Sequence, residues 1–137
     1  MEQRSDEWFS ARLGCVTASR TADVMAKTKS GYSASRANYM AQLITERLTE
    51  QASEGLQWGT ETEPQARMAY EVMTGETVKE TGFVLHPSIK FFGASPDGLV
   101  GSDGLIEIKC PNTATHIDTL LSEKVPSKYI TQMHVQM

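Results

Sequence analysis

The hydrophobic period of the chain changes between Gly75 and Thr77, and this limits the possible folds more than any other feature. Before it, apolar residues recur at helical spacing: Ala37, Met40, Leu43, Ile44 and Leu48 form one stripe of a long amphipathic helix expected over 34–51. After it, 77–85, 91–94 and 105–109 read as strands, divided by His86-Pro87-Ser88 and by a turn region over 97–104. Helical patterns return at 113–123 and from Ser127 onward, where Ile130, Met133 and Met137 share a face. Helices, a small sheet and helices again predict an α/β domain with a central mixed sheet flanked by helices. The 137 residues contain no repeat and no linker, so 1–137 is expected to be a single domain.

The first helices can be placed more closely. Residues 6–11 read as a short helix leading into Arg12-Leu13-Gly14. Thr17 is the expected N-cap of a second helix that opens at Thr17-Ala18-Ser19 and runs to about Ala26. Residues 27–33, with Gly31, read as a loop. Trp58-Gly59 is expected to break the chain, with Pro64 in the first turn of a third helix that carries Ala66, Tyr70 and Met73 and stops at Gly75.

Charge and cysteine content exclude several classes. No apolar run approaches the roughly 20 residues of a spanning helix. The polar start, Met1 to Glu7, does not read as a signal peptide. Cys15 and Cys110 lie far apart, which excludes a disulfide framework and a four-cysteine metal site; a cytoplasmic setting is expected. A net charge of -4 argues against coating nucleic acid by bulk electrostatics but leaves room for a local site. The acid is concentrated: 51–82 holds six Glu against Arg67 and Lys79, whereas the first 50 residues carry seven basic side chains. Phosphate binding is therefore expected in the N-terminal third.

The chemistry is concentrated in Ser95-Pro96-Asp97-Gly98 and Leu105-Ile106-Glu107-Ile108-Lys109. Side chains alternate along a strand, so Glu107 and Lys109 share one face and Ile106 and Ile108 the other. A hairpin through the Gly- and Asp-rich turn would bring the Asp97 carboxylate beside Glu107. Two hard oxygen donors so close would repel unless a cation lay between them, and Mg²⁺ is the usual one. Such an ion lowers the pKa of a bound water and offsets charge on a phosphoryl oxygen, with Lys109 to position or deprotonate the water or to steady the transition state. A third carboxylate is expected from Glu61 or Glu63 at a helix start.

Pro96-Asp97, nine intervening residues, and Glu107-Ile108-Lys109 resemble the PD-(D/E)xK nuclease motif. More specifically, four ordered blocks resemble the phage lambda exonuclease family, also described as YqaJ-like viral recombinases. They are Glu7-Trp8 with Ala11 to Ser19, Trp58 to Glu63, Ala94 to Gly98, and Ile106 to Pro111. The resemblance implies a restriction-endonuclease-like core, truncated at the C-terminus because family members continue past the last helix. It implies Asp97 and Glu107 as metal-binding carboxylates, the Ile108 carbonyl as a further ligand, and Lys109 as the catalytic lysine. Glu63, ahead of Glu61, is the implied acidic residue from the helix after Trp-Gly.

Arg12 and Ser19 match the family's pocket for a terminal 5′-phosphate, Trp8 lies near its DNA end, and Gln132 falls in its glutamine-bearing last helix. The pocket also makes sense from the residues alone, since a helix opening at Thr17-Ala18-Ser19 offers free N–H groups beside a hydroxyl and a guanidinium. The implied activity is a Mg²⁺-dependent 5′→3′ exonuclease on duplex DNA ends, with Mn²⁺ as a substitute. It would leave 3′ single-stranded overhangs for phage-type recombination. The implied partners are DNA ends, a single-strand annealing protein and two further copies in a ring trimer. The alternatives are a PD-(D/E)xK endonuclease and a non-catalytic remnant that binds DNA or a partner.

The remaining residues carry structural expectations. His86 reads as a turn residue and His116 as helix surface, and the histidines, His134 included, show no metal spacing with one another. Cys15 and Cys110 read as small buried apolar residues, and Trp58 as packing between a helix start and the sheet.

Overall fold

The computed structural model describes residues 2–45 and 54–137. They form two compact units: one from 2–45, 81–95 and 127–137, the other from 54–80 and 96–126.

The first unit begins with α1 (Asp6–Arg12). Ser5 caps it by accepting the Trp8 N–H at 3.2 Å, and Asp6, Glu7 and Arg12 complement the helix dipole at its two ends. Gly14, at φ 69°, then turns the chain into β1 (Val16–Thr17). The expected second helix is split into a 3₁₀ turn (Ala18–Arg20) and the short α2 (Thr21–Met25). Thr17 belongs to β1, and its hydroxyl meets Ser19 Oγ at 3.3 Å instead of capping a helix. The expected loop over 27–33 contains a tight antiparallel pair, β2 (Lys27–Thr28) with β3 (Gly31–Tyr32).

Helix α3 (Ala34–Thr45) follows, and the part of the expected helix beyond 45, with Leu48, lies outside the described residues. Its apolar stripe is only partly correct. Tyr39 is the buried residue, 5% exposed, while Met40 and Ile44 are exposed. Within this unit β5 (Val84–Leu85) pairs antiparallel with β6 (Phe92–Ala94), and β6 pairs parallel with β1. Helix α6 (Ser127–Gln136) packs on the 3₁₀ turn and on α2. Trp8, Cys15, Ala18 and Tyr39 form the core.

The second unit opens with α4 (Glu54–Thr74), which runs straight through Trp58-Gly59 and Pro64. Trp58 is 53% exposed and so does not fill the packing role expected of it. Pro64 lacks the N–H for one helical bond. Side-chain pairs one turn apart support the helix at both breakers: Gln57 Nε2 donates to Glu61 Oε1 at 2.9 Å across Gly59, and Arg67 pairs with Glu63 across Pro64. The helix stops at Gly75, whose φ of 74° suits a left-handed terminus and whose N–H reaches the Glu71 carbonyl at 2.9 Å.

Strand β4 (Val78–Lys79) then pairs antiparallel with β7 (Gly98–Val100), and β7 with β8 (Gly104–Ile106). Strand β7 occupies part of the region expected to be turn. Gly98 is needed there, because a Cβ at this position would lie 2.2 Å from Val78 Cγ1. Helix α5 (Thr113–Ser122) closes the unit; Asn112 caps it by accepting the Thr115 N–H at 2.9 Å. The pairing is mixed, as expected, but among the described residues it is divided into separate short sheets. No helix among them is long and apolar enough to cross a membrane.

Candidate active site

The β7–β8 hairpin sets the carboxylates. Its register pairs Gly98 with Ile106, so one step further out Asp97 stands opposite Glu107. Both lie just past the ladder, where backbone groups are open to side chains. Asp97 Oδ2 accepts the Ile108 N–H at 2.6 Å, which fixes the carboxylate against the outgoing strand. Glu107 Oε1 pairs with Lys109 Nζ, two residues on, although the expected strand over 105–109 ends at Ile106, short of both. The Glu107 side chain is 6% exposed and that of Lys109 34%, so the acid is enclosed and the ammonium reaches toward solvent.

Glu63 is also buried, 7% exposed, but it projects from the middle of α4 and not from a helix start. Glu61 is exposed and bonded to Gln57, so Glu63 is the acid that turns inward. Burial is the main reason the Asp97 carboxyl is pushed up to about 6 from its ordinary 3.8. The negative charges of Glu107 and Glu63 push the same way, while the Ile108 N–H and Lys109 oppose them. Burial, then Glu63 and Asp97, also raise the half-buried Cys110 thiol.

This donor set fits a hard divalent cation. Its donors are carboxylate oxygens, the hard kind such an ion takes, and the charges of Glu107 and Glu63 both act on Asp97. Among the described residues no three His, Cys, Asp or Glu side chains are grouped to hold a metal ion. Mg²⁺ asks for less, since it is usually held by one or two carboxylates with water completing the shell. Asp97 and Glu107 are the two acids that would hold it, with the carbonyl of Ile108, the residue after Glu107, as a further oxygen.

The first unit carries a separate cluster. Trp8 and Arg12 lie one turn apart on α1, and the Arg12 guanidinium sits 3.8 Å from the Trp8 ring centroid. Both side chains donate to Ser95 Oγ, Trp8 Nε1 at 3.0 Å and Arg12 Nη1 at 3.4 Å. No carboxylate among the described residues pairs with Arg12, and burial lowers its pKa to about 10. It remains a cation at neutral pH, partly stripped of water. Beside it is a cavity of about 110 Å³ whose walls include Arg12, Thr17, Arg20, Tyr39 and Gln42. Tyr39 is the keystone of this wall: its hydroxyl donates to the Cys15 carbonyl at 3.3 Å and accepts the Thr17 N–H at 3.1 Å.

Ser19 is exposed on the 3₁₀ turn and bonded to Thr17, so it reaches the cavity only through that neighbour. Gln132 is buried on α6, 6% exposed. His86 is the turn residue it was expected to be, its Nδ1 accepting the N–H groups of Ser88 and Ile89 at 3.2 and 3.0 Å, and His116 is exposed on α5. Cys15 is buried as expected and Cys110 only half so. Ser95, Tyr39 and Arg67 were not singled out from the sequence. Of these, Arg67 carried a signal, its position one turn after Glu63.

A family model described as the YqaJ-like viral recombinase domain matches residues 7–137. The chain belongs to this family. Two similar solved structures are those of an alkaline exonuclease, LHK-Exo, from Laribacter hongkongensis, and of the same protein in complex with dAMP. Each is 58% identical and aligns with 97% of this chain and 67% of its own, with TM-scores of 0.87 and 0.88. No curated protein matches the chain. The α/β class and the family resemblance drawn from the four sequence blocks are therefore correct. The paired acids of the hairpin and the Trp8–Arg12–Ser95 cluster all fall within the family match.

Proposed function

We propose that this chain is a divalent-metal-dependent nuclease that degrades duplex DNA from a 5′ end and leaves a 3′ single-stranded overhang. The observation that carries the proposal is the convergence of Asp97, Glu107 and Lys109 on one hairpin, with Glu63 turned inward from α4. The 58% identity to an alkaline exonuclease supports the exonuclease class. Mg²⁺, or Mn²⁺ in its place, would lower the pKa of the attacking water and offset charge on the phosphoryl oxygen.

The chain's own residues supply the rest. Asp97 and Glu107 provide hard anionic oxygens, and the Ile108 N–H holds Asp97 in place. Lys109, paired with Glu107, donates from Nζ to orient the water and to the charge that builds on the phosphate. Arg12 and Ser95, with Thr17 and Ser19 nearby, provide a desolvated cation and hydroxyls suited to a terminal phosphate. Trp8 offers an aromatic ring to the DNA end.

The overhang would pass to a single-strand annealing protein in the host cytoplasm, and a ring of three copies would hold the DNA without a strongly basic surface. The test is hydrolysis of linear duplex DNA by Asp97→Ala and Lys109→Ala. Each should lose at least about 100-fold in rate, and an unchanged rate in either refutes the assignment.

A further inference from the structure

The acidic cluster includes an arginine to which the reaction above gives no part. Arg67 lies one helical turn after Glu63 on α4, and its Nη2 donates to Glu63 Oε1 at 3.4 Å. Its Nη1 pairs with Glu80 Oε1, just beyond β4. The Arg67 side chain is 16% exposed and that of Glu63 10%, while Glu80 is 65% exposed. A largely enclosed guanidinium thus bridges an enclosed carboxylate and a surface one. One turn further along the same stripe, Glu71 Oε1 accepts the Val78 N–H at 2.7 Å and ties the start of β4 to the helix.

Stability does not call for this arrangement. Removing two charges from water costs about as much as their attraction returns, and an apolar pair would pack there as well. The pair is better explained by the geometry it enforces. Glu63 and Glu107 each repel Asp97, and a glutamate on a flexible stem would swing away from it. Lys109 balances Glu107 and Arg67 balances Glu63.

We propose that Arg67 is a positioning residue that holds the buried Glu63 carboxylate turned toward Asp97, with Glu80 as its outer anchor. Arg67 touches neither metal nor DNA and acts only through Glu63. This inference rests on the nuclease function proposed above. Groups that orient metal-site ligands in this way typically matter by about 10- to 100-fold in activity or metal affinity.

The test is a double-mutant cycle in the full chain with Arg67→Met, Glu63→Gln and the combination, measured as single-turnover cleavage of duplex DNA and as Mn²⁺ affinity by electron paramagnetic resonance. Arg67→Met should slow cleavage about 10- to 100-fold with the KM for DNA unchanged. In the Glu63→Gln background the same change should cost less than about twofold, because its target is already gone. An equal loss in both backgrounds overturns the proposal.

Arg67→Lys keeps the charge without the fork and guards against misfolding of the methionine variant; it should restore part of the rate, and no restoration in a folded protein overturns the proposal. If the unaltered protein cuts no DNA, the nuclease reading fails separately, and Mn²⁺ affinity decides: about tenfold weaker binding in Arg67→Met upholds the positioning role, and unchanged binding rejects it.

Discussion

Asp97→Asn should make the metal-free protein more stable at pH 8 and change it far less at pH 4. The carboxyl of Asp97 is pushed up to about 6 in the folded chain from an ordinary 3.8, first by burial and then by Glu107. A raised carboxyl pKa means that the folded state holds the proton more tightly than the unfolded state. Below 3.8 both states are protonated and no penalty exists. As pH rises from there through about 6 the folded state loses stability, and above that the loss is complete. At about 1.4 kcal/mol per tenfold change in proton affinity the gap is worth roughly 3 kcal/mol. Partial exposure of the group leaves roughly 1–2 kcal/mol of this after solvent screening.

Asparagine keeps an oxygen to accept the Ile108 N–H and never bears the charge, so the variant escapes the penalty. Urea unfolding with EDTA, at pH 4 and at pH 8, measures both differences. A gain at pH 8 that is much smaller at pH 4 is the expected pattern. Equal or lower stability of the variant at pH 8 refutes the electrostatic argument, as does a gain of the same size at both pH values. Added Mg²⁺ should raise the stability of the parent protein and not that of the variant, since the cation then neutralises what the substitution removes.

Other consequences follow from the first unit and from the sheet. Arg12→Ala should abolish the preference for 5′-phosphorylated over 5′-hydroxyl ends, with a loss of about 10- to 100-fold in kcat/KM on the phosphorylated substrate only. Tyr39→Phe removes the acceptor of the buried Thr17 N–H and the donor to the Cys15 carbonyl, and chemical denaturation should show a loss of about 1–3 kcal/mol. Gly98→Ala places a methyl group against Val78 and should cost about 1–3 kcal/mol, part of which Val78→Ala should restore.

The site was more legible in the sequence than the fold around it. Alternation alone put Glu107 and Lys109 on one face, and the Gly- and Asp-rich turn put Asp97 opposite Glu107; both follow from local geometry. Strand β7 was hidden because Gly98, Gly101 and Gly104 give a turn composition to a segment whose pairing is set by close approach to Val78. Pro64 and Gly59 signal a break that α4 does not make, because the pairs around them hold the helix together. Tyr39 replaced the expected stripe because its hydroxyl satisfies two backbone groups of another segment. Ser95 stood inside a quoted motif, yet its partners Trp8 and Arg12 are 87 and 83 residues away, a separation that no local pattern reveals. Arg67 depends on Glu80 in the same way.

The most direct test of the function is one incubation of linear duplex DNA, with and without a 5′-phosphate, alongside closed circular DNA, in Mg²⁺ or in EDTA. Loss of the phosphorylated linear DNA alone, in Mg²⁺ alone, is the predicted result. Cutting of the closed circle, or loss of linear DNA in EDTA, would contradict it.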